Sequence, residues 1–344
     1  MREIADFRSD KCARPTPEMV EAMASCEWGD GLYDGGPTVR ELERLAAEVT
    51  GKEAAMFCAS GTNANQIAVH AHTKPGDGVL LDDTSHIFWT EGGTGPTLSG
   101  VQTFAVASRR GMMRMQDVRR AFVRLDVGAP LTLVCTENTH NFGGGRLVPI
   151  DYLREIGTLA AASGARVHLD GARIFNASVK SGIPVAKYAA TADSIMFCLS
   201  KGLCAPVGSM LCGRREFIDR AVRFRERIGA LLKQPAPLAK CGIIALTKMV
   251  GRLAEDHANA GRLASGLRRL SGIEVEPADT NMVFVTLRRL KGDRAVGALE
   301  KRGVLTYHLG AGRLRFVVHR DIDAQDIERC VSEMSRLLRR KGPR

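Results

Sequence analysis

The run Ser194-Ile195-Met196-Phe197-Cys198-Leu199-Ser200-Lys201-Gly202 constrains this chain more than any other stretch. It is apolar over the length of a strand and ends on Ser-Lys. Gly202 and Pro206-Val207-Gly208 then bend the chain away. A lysine just past a buried strand has less room to snorkel to water than a surface lysine. Burial disfavours a charged amine, and the uncharged amine is the form that adds to a carbonyl as a Schiff base. One such lysine decides nothing, because a lysine that caps a strand and points to solvent is the commoner arrangement.

A second run upstream shifts that balance. Arg166-Val167-His168-Leu169-Asp170-Gly171-Ala172-Arg173 is another short β-type stretch, ending on a carboxylate, a glycine and an arginine. Strand, Asp-Gly-Ala-Arg, about thirty residues for one helical crossover, then a strand ending in Ser-Lys is a layout that pyridoxal phosphate enzymes use. There the aspartate holds a proton on the pyridine nitrogen and the lysine carries the cofactor. His168-Leu169-Asp170-Gly171-Ala172-Arg173-Ile174-Phe175-Asn176, with Cys198-Leu199-Ser200-Lys201-Gly202-Leu203, resembles the L-threonine aldolases (low-specificity and L-allo-threonine enzymes) of the fold-type I pyridoxal phosphate group. The likeness covers nearly the whole chain.

The resemblance implies an α/β fold with an aspartate aminotransferase-like large domain. Its sheet is expected to be mostly parallel and seven-stranded, followed by a small C-terminal α+β domain. The expected division is an N-terminal arm over 1–20, the large cofactor-binding domain over 21–240 and the small domain over 241–344. The implied cofactor is pyridoxal 5'-phosphate, with Ser200 and Lys201 beside it, Asp170 on its ring nitrogen and Arg173 bracing Asp170 and touching the ring oxygen.

Other segments fit the same likeness. Phe7 to Pro17 reads as an extended, proline-punctuated arm before a helix over Pro17–Cys26. Ser9, Asp10, Arg14 and Pro15 match the family there, and Lys11-Cys12-Ala13 depart from it. Ser9 is implied to lie by the substrate carboxylate. Tyr33 sits in the loop Gly29–Val39 and is implied to reach the rim of a neighbouring subunit's site, although Gly36 replaces an acidic residue; a helix over Thr38–Thr50 follows. Ser60-Gly61-Thr62 follows the strand Ala54–Ala59 and opens a helix. Small residues there leave backbone N–H groups and the positive end of the helix dipole for a phosphate.

His86 follows the strand Gly78–Asp83, and the likeness implies that it stacks on the pyridine ring, with Glu91 in a structural role. His140 lies at the C-terminal end of the run Leu131–Asn141, just before Asn141. An imidazole near its ordinary pKa is suited to taking a hydroxyl proton at neutral pH, and a histidine that only braces the turn fits equally well. Lys233, within Gly229–Pro235, stands where the family carries an arginine that reaches a neighbouring subunit's phosphate; it keeps the charge but not the planar fork.

From Ala239 to Leu270 the pattern is helical. Strands over 279–285, Val304–Tyr307 and Arg313–His319, with a helix inside them and one after Asp323, give the small domain a β-α-β-β-α order. Arg315 matches the family's carboxylate-gripping arginine, with Arg313 on the same strand face.

Composition narrows the classes. The net charge of +11 raises the question of nucleic acid, but the arginines are spread along the chain with no zinc finger or aromatic-interleaved basic motif. Nine cysteines occur singly, without C-x-x-C or zinc spacing, so no metal site is expected and reduced thiols in the cytoplasm are. No apolar run approaches the ~18 residues of a membrane span, and Met1–Asp6 lacks a secretory core.

The expected activity is cleavage of L-threonine, L-allo-threonine or related β-hydroxy-α-amino acids to glycine and an aldehyde, with Lys201, Asp170, His86 and His140 as candidate catalytic residues. The partners are a small amino acid substrate and further copies of the chain, as a dimer or tetramer. Other pyridoxal phosphate outcomes, namely β-elimination, transamination and specialised aldol chemistry, form the alternative, and a non-catalytic or nucleic-acid-binding protein conflicts with the Asp170, Lys201 and Ser60-Gly61-Thr62 set.

Overall fold

The computed structural model describes residues 4–26, 36–124 and 128–339. The chain divides into two compact units, Pro15–Val250 and Met1–Arg14 with Gly251–Arg344.

The first unit is built on seven strands: β1 (Ala54–Cys58), β2 (Gly78–Asp82), β3 (Gln102–Val106), β4 (Leu131–Glu137), β5 (Arg166–Asp170), β6 (Ser194–Cys198) and β7 (Ser209–Gly213). Their order is β1-β7-β6-β5-β4-β2-β3. β7 runs antiparallel to both neighbours and every other pairing is parallel, so the expected mostly parallel sheet is present. β1, β2, β6 and β7 are buried at every position, as strands enclosed on both faces are.

Helix α1 (Gly61–His72) packs on the sheet through Ala64, Ile67, Ala68 and Ala71. Phe217, Ile218, Ala221 and Phe224 of α2 (Arg215–Arg227) join it over Met56, Met196 and Leu211. Each large side chain enclosed in this way contributes about 1.5–3 kcal/mol. The helix start approaches β6 closely: a Cβ on Gly61 would lie 3.0 Å from Cys198 Sγ and 3.1 Å from Met196 Cε.

Two features differ from the sequence reading. β3, at the sheet edge, is exposed or half-buried at every position and opens on the polar Gln102-Thr103, which leaves only a short apolar run to announce it. The helical pattern over Ala239–Leu270 is interrupted: a helix over Ala236–Ile244 passes into a π turn over Ala245–Met249, and a new helix begins at Leu253. Gly251 lies in the break, and glycine is a poor helix former.

The second unit contains α3 (Leu253–Arg268), β8 (Ile273–Val275), β9 (Met282–Leu287), α4 (Gly292–Glu300), β10 (Tyr307–His308), β11 (Arg313–Val317) and α5 (Ala324–Arg339). Its antiparallel sheet has the order β8-β9-β11-β10. Leu263, Leu267, Val283, Val285, Leu299, Phe316 and Met334 form its core. The N-terminal arm belongs to it: Ala5–Asp6 pair in parallel with Val304–Leu305, and the buried Phe7 meets Phe316 edge-on at 6.0 Å. Among the described residues no helix is long and apolar enough to cross a membrane.

Candidate active site

β2, β4 and β5 each end on a carboxylate: Asp82, Glu137 and Asp170. Beyond the end of β6 comes Lys201. In a parallel sheet these ends share one edge, the edge outside which open α/β sheets bind ligands. The segment carrying the lysine is held by Gly208, whose carbonyl accepts the N–H of Leu199 at 2.9 Å and of Ser200 at 3.3 Å. Lys201 is 8% exposed, and its amine makes no hydrogen bond among the described residues.

Asp170 lies on the neighbouring strand end. Its Oδ1 accepts the N–H of Ala172 at 3.0 Å and its Oδ2 accepts Nδ2 of Asn65 at 2.8 Å, which leaves lone pairs for a further donor. Burial works against the carboxylate, but His86, Lys201 and the bonds from Asn65 and Ala172 outweigh it and hold Asp170 below its ordinary value.

His86 is tied at two points. Its backbone N–H donates to Glu137 Oε2 at 2.8 Å, and its Nδ1 meets Glu91 Oε1 at 2.9 Å. With Nδ1 committed to a carboxylate, Nε2 is the nitrogen left for chemistry. Burial lowers the affinity of this ring for a proton, yet the bond to Glu91 and the charges of Asp170 and Glu137 reverse that and raise its pKa. Glu91 is buried and also accepts from Asn65 and Gln66. One ring nitrogen of His86 and one oxygen each of Glu91 and Asp170 lie within 4.8 Å of one another.

His140 is placed differently. It is fully enclosed, with Nε2 at 3.0 Å from Asp82 Oδ2 and Nδ1 accepting the N–H of Gly143 at 2.9 Å. Burial opposes a charge on the ring, while Glu137 and Asp82 favour one strongly enough to raise the pKa to about 9. A doubly protonated ring conflicts with the Gly143 N–H aimed at Nδ1, which needs a lone pair there. The bond geometry is the stronger constraint, so the ring carries its proton on Nε2 and braces the turn.

At the start of α1, the Ser60 hydroxyl accepts the N–H of Asn63 at 3.1 Å. The N–H groups of Gly61 and Thr62 have no partner among the described residues. The notional Cβ contacts at Gly61 show that a side chain would crowd this turn. Arg173 is buried at the start of the helix Ile174–Ser181. Lys233 is exposed, and Tyr33 lies outside the described residues.

In the second unit, Ser9 is buried and its hydroxyl accepts the N–H of Lys11 at 3.2 Å, capping a single turn over Asp10–Cys12. Arg315 is buried in β11, donates to the Arg8 carbonyl at 3.1 Å and lies 5.5 Å from the Tyr307 ring centroid. Arg313 is tied to Glu276 at 2.8 Å and covers Phe284.

Sequence reasoning passed over Asn65 and Gln66, which are buried on the otherwise small and apolar face of α1. Two amides among alanines, just after a phosphate-type helix start, were the available signal. The buried side chains of Asp82 and Glu137 were legible only as strand ends.

A parallel sheet with one reversed strand, a lysine beyond β6, an aspartate ending β5 and a small-residue turn after β1 form the arrangement of a fold-type I pyridoxal phosphate enzyme. Comparison with known proteins agrees. The profile of the Beta-eliminating lyase family matches residues 6–289. Low-specificity L-threonine aldolase 1 of Arabidopsis thaliana is 38% identical, over 96% of this chain and 95% of its own length. The low specificity L-threonine aldolase of Escherichia coli (strain K12) is 36% identical, over 98% of this chain and 100% of its own. The chain therefore belongs to the Beta-eliminating lyase family, among the threonine aldolases. In fold it is similar to the Leishmania major threonine aldolase structure, with a TM-score of 0.84 at 21% identity over 97% of this chain and 99% of that one.

Proposed function

We propose that this protein cleaves L-threonine, L-allo-threonine and related β-hydroxy-α-amino acids to glycine and an aldehyde, with pyridoxal 5'-phosphate carried on Lys201. The observation that carries the reading is Lys201, buried beyond the end of β6, with the buried Asp170 carboxylate on the neighbouring strand end and within electrostatic reach of it. The names of the relatives favour aldol cleavage over elimination or transamination.

The residues present fit the cofactor. Gly61 and Thr62 offer free N–H groups at a helix start, suited to a phosphate. Asp170, kept ionised, would hold a proton at the pyridine nitrogen, and Ser200 and Arg173 flank the same edge. When bound, the cofactor supplies an electron sink for the carbon–carbon bond that breaks. His86 is the better placed of the two histidines to take the substrate hydroxyl proton, because Glu91 fixes its Nδ1 and leaves Nε2 for transfer. His140, enclosed with both nitrogens engaged, holds the turn instead. Arg315, at the position that matches the family's carboxylate-gripping arginine, is proposed as the carboxylate ligand, with Ser9. A homo-oligomer in which Lys233 and Tyr33 serve a neighbouring site, in the cytoplasm, completes the reading; the nine unpaired cysteines accord with that compartment.

The test is release of aldehyde and glycine from L-threonine and L-allo-threonine by the cofactor-loaded protein, beside Lys201→Ala. Release that disappears in the variant is expected. A cofactor-loaded protein that releases neither product overturns the aldolase reading.

A further inference from the structure

Behind Asp170 runs a chain of four side chains that the catalytic reading does not use. Asn65 Nδ2 lies 2.9 Å from Glu91 Oε1 and 2.8 Å from Asp170 Oδ2. Asn65 Oδ1 faces His168 Nε2 at 3.0 Å, and His168 Nδ1 faces Ser194 Oγ at 2.9 Å. Ser194 Oγ in turn lies 2.7 Å from His72 Nε2. Asn65, His168 and Ser194 are at most 1% exposed.

The direction of every proton follows from the two carboxylates. Flipping the Asn65 amide would set its oxygen against both Glu91 and Asp170, so its NH₂ must face them and its oxygen must accept from His168 Nε2–H. Burial pushes His168 down to about 4, against a smaller upward pull from Asp170, so the ring is neutral and Nδ1 keeps a lone pair. The Ser194 hydroxyl must then donate to Nδ1, and its own lone pair receives His72 Nε2–H. His72, lowered by burial and by His168, Arg220, Arg166 and Lys52, is neutral as well and stacks on Phe217 at 4.2 Å. All the hydrogen-bond dipoles therefore point the same way, each positive end toward Asp170, and aligned bonds polarise one another.

We infer that His168, Ser194 and His72 are positioning residues which, acting through Asn65, keep Asp170 ionised and aimed so that the cofactor's ring nitrogen retains its proton. The inference rests on the reading of Asp170 as the partner of that nitrogen. The charges facing Asp170 from elsewhere are mixed. His86 and Lys201 favour its anion, while Glu137 and Glu91 oppose it, with His140 and the Cys135 thiol also near. A neutral, oriented chain supports the anion without adding a charge of its own.

The experiment uses the protein loaded with cofactor labelled with ¹⁵N in the ring, and follows the ¹⁵N chemical shift against pH. In wild type the nitrogen is expected to stay protonated through neutral pH. His168→Phe removes both bonds of the ring and should lower the nitrogen's apparent pKa by up to about one pH unit, the net worth of one neutral hydrogen bond, because the ring reaches Asp170 only through Asn65. Ser194→Ala, which deletes one hydroxyl and leaves the His168–Asn65 bond in place, should lower it by less, in the same direction. Asp170→Asn is the separate control. An unchanged ¹⁵N signal there overturns the reading of Asp170 itself, whereas a shift there with wild-type titration in a folded His168→Phe protein overturns the chain. If His168→Phe does not fold, Ser194→Ala decides: a downward shift supports the chain and a wild-type titration refutes it.

Discussion

Gly208 holds the segment that presents Lys201, and replacing it with alanine gives a prediction whose size follows from the structure. Its φ is +111°, and a Cβ there would lie 2.3 Å from Phe57 Cε2 and 2.8 Å from Cζ. Phe57 is 2% exposed, so its ring has little room to retreat. The backbone conformation costs a non-glycine residue about 1–2 kcal/mol. Overpacking a tight site adds about 1–3 kcal/mol, for a total loss of about 2–5 kcal/mol. Relief of the clash moves the Gly208 carbonyl, to which Leu199 and Ser200 donate.

Gly182→Ala separates the two contributions. Gly182 has a φ of +72° with nothing within 4 Å of its notional Cβ, so only the backbone cost applies. Urea unfolding of both variants at one fixed cofactor concentration should show Gly208→Ala less stable than Gly182→Ala by about 1–3 kcal/mol. Gly208→Ala should also develop less of the visible absorbance of bound cofactor. Equal losses in the two variants would refute the packing argument.

Two further expectations concern the histidines. His168 binds no proton in the folded protein until about pH 4, against 6.5 when unfolded, so between those values the unfolded chain takes up a proton that the fold refuses. Stability then falls as pH drops through this window, by up to about 3 kcal/mol, and is unaffected by His168 above it. Urea midpoints of His168→Gln should slope less between pH 6.5 and 4.5 than wild type; since the raised pKa of His86 acts in the opposite direction, the comparison between proteins is what counts. Parallel slopes would rule out a buried neutral His168. His86→Ala and His140→Ala should separate activity from stability. The first is expected to lose about 10²–10⁴-fold in cleavage rate with the smaller loss of stability, since Glu91 keeps its bonds from Asn65 and Gln66. The second removes a fully enclosed ring together with its bonds to Asp82 and Gly143 and should cost about 1–3 kcal/mol. Equal stability of the two variants would contradict the bracing role of His140.

The sequence alone determined the strand ends and what stands on them. A strand's burial and the residue that follows it are local properties, so Asp170 and Lys201 could be placed on one sheet edge from two short runs and a crossover. The small-residue start of α1 was legible for the same reason. Only the tertiary structure decided which polar groups meet. Asn65 reaches Asp170 across 105 positions of sequence, and His168 reaches Asn65 across 103. No periodicity encodes such pairs, because each becomes a neighbour only when a helix face is laid against a particular strand. The same holds for the two histidines: both follow strands, and only packing shows one with a nitrogen left for chemistry and the other with both consumed. The edge strand β3 escaped the sequence reading for the opposite reason, since half of it faces water and little burial was written into its residues.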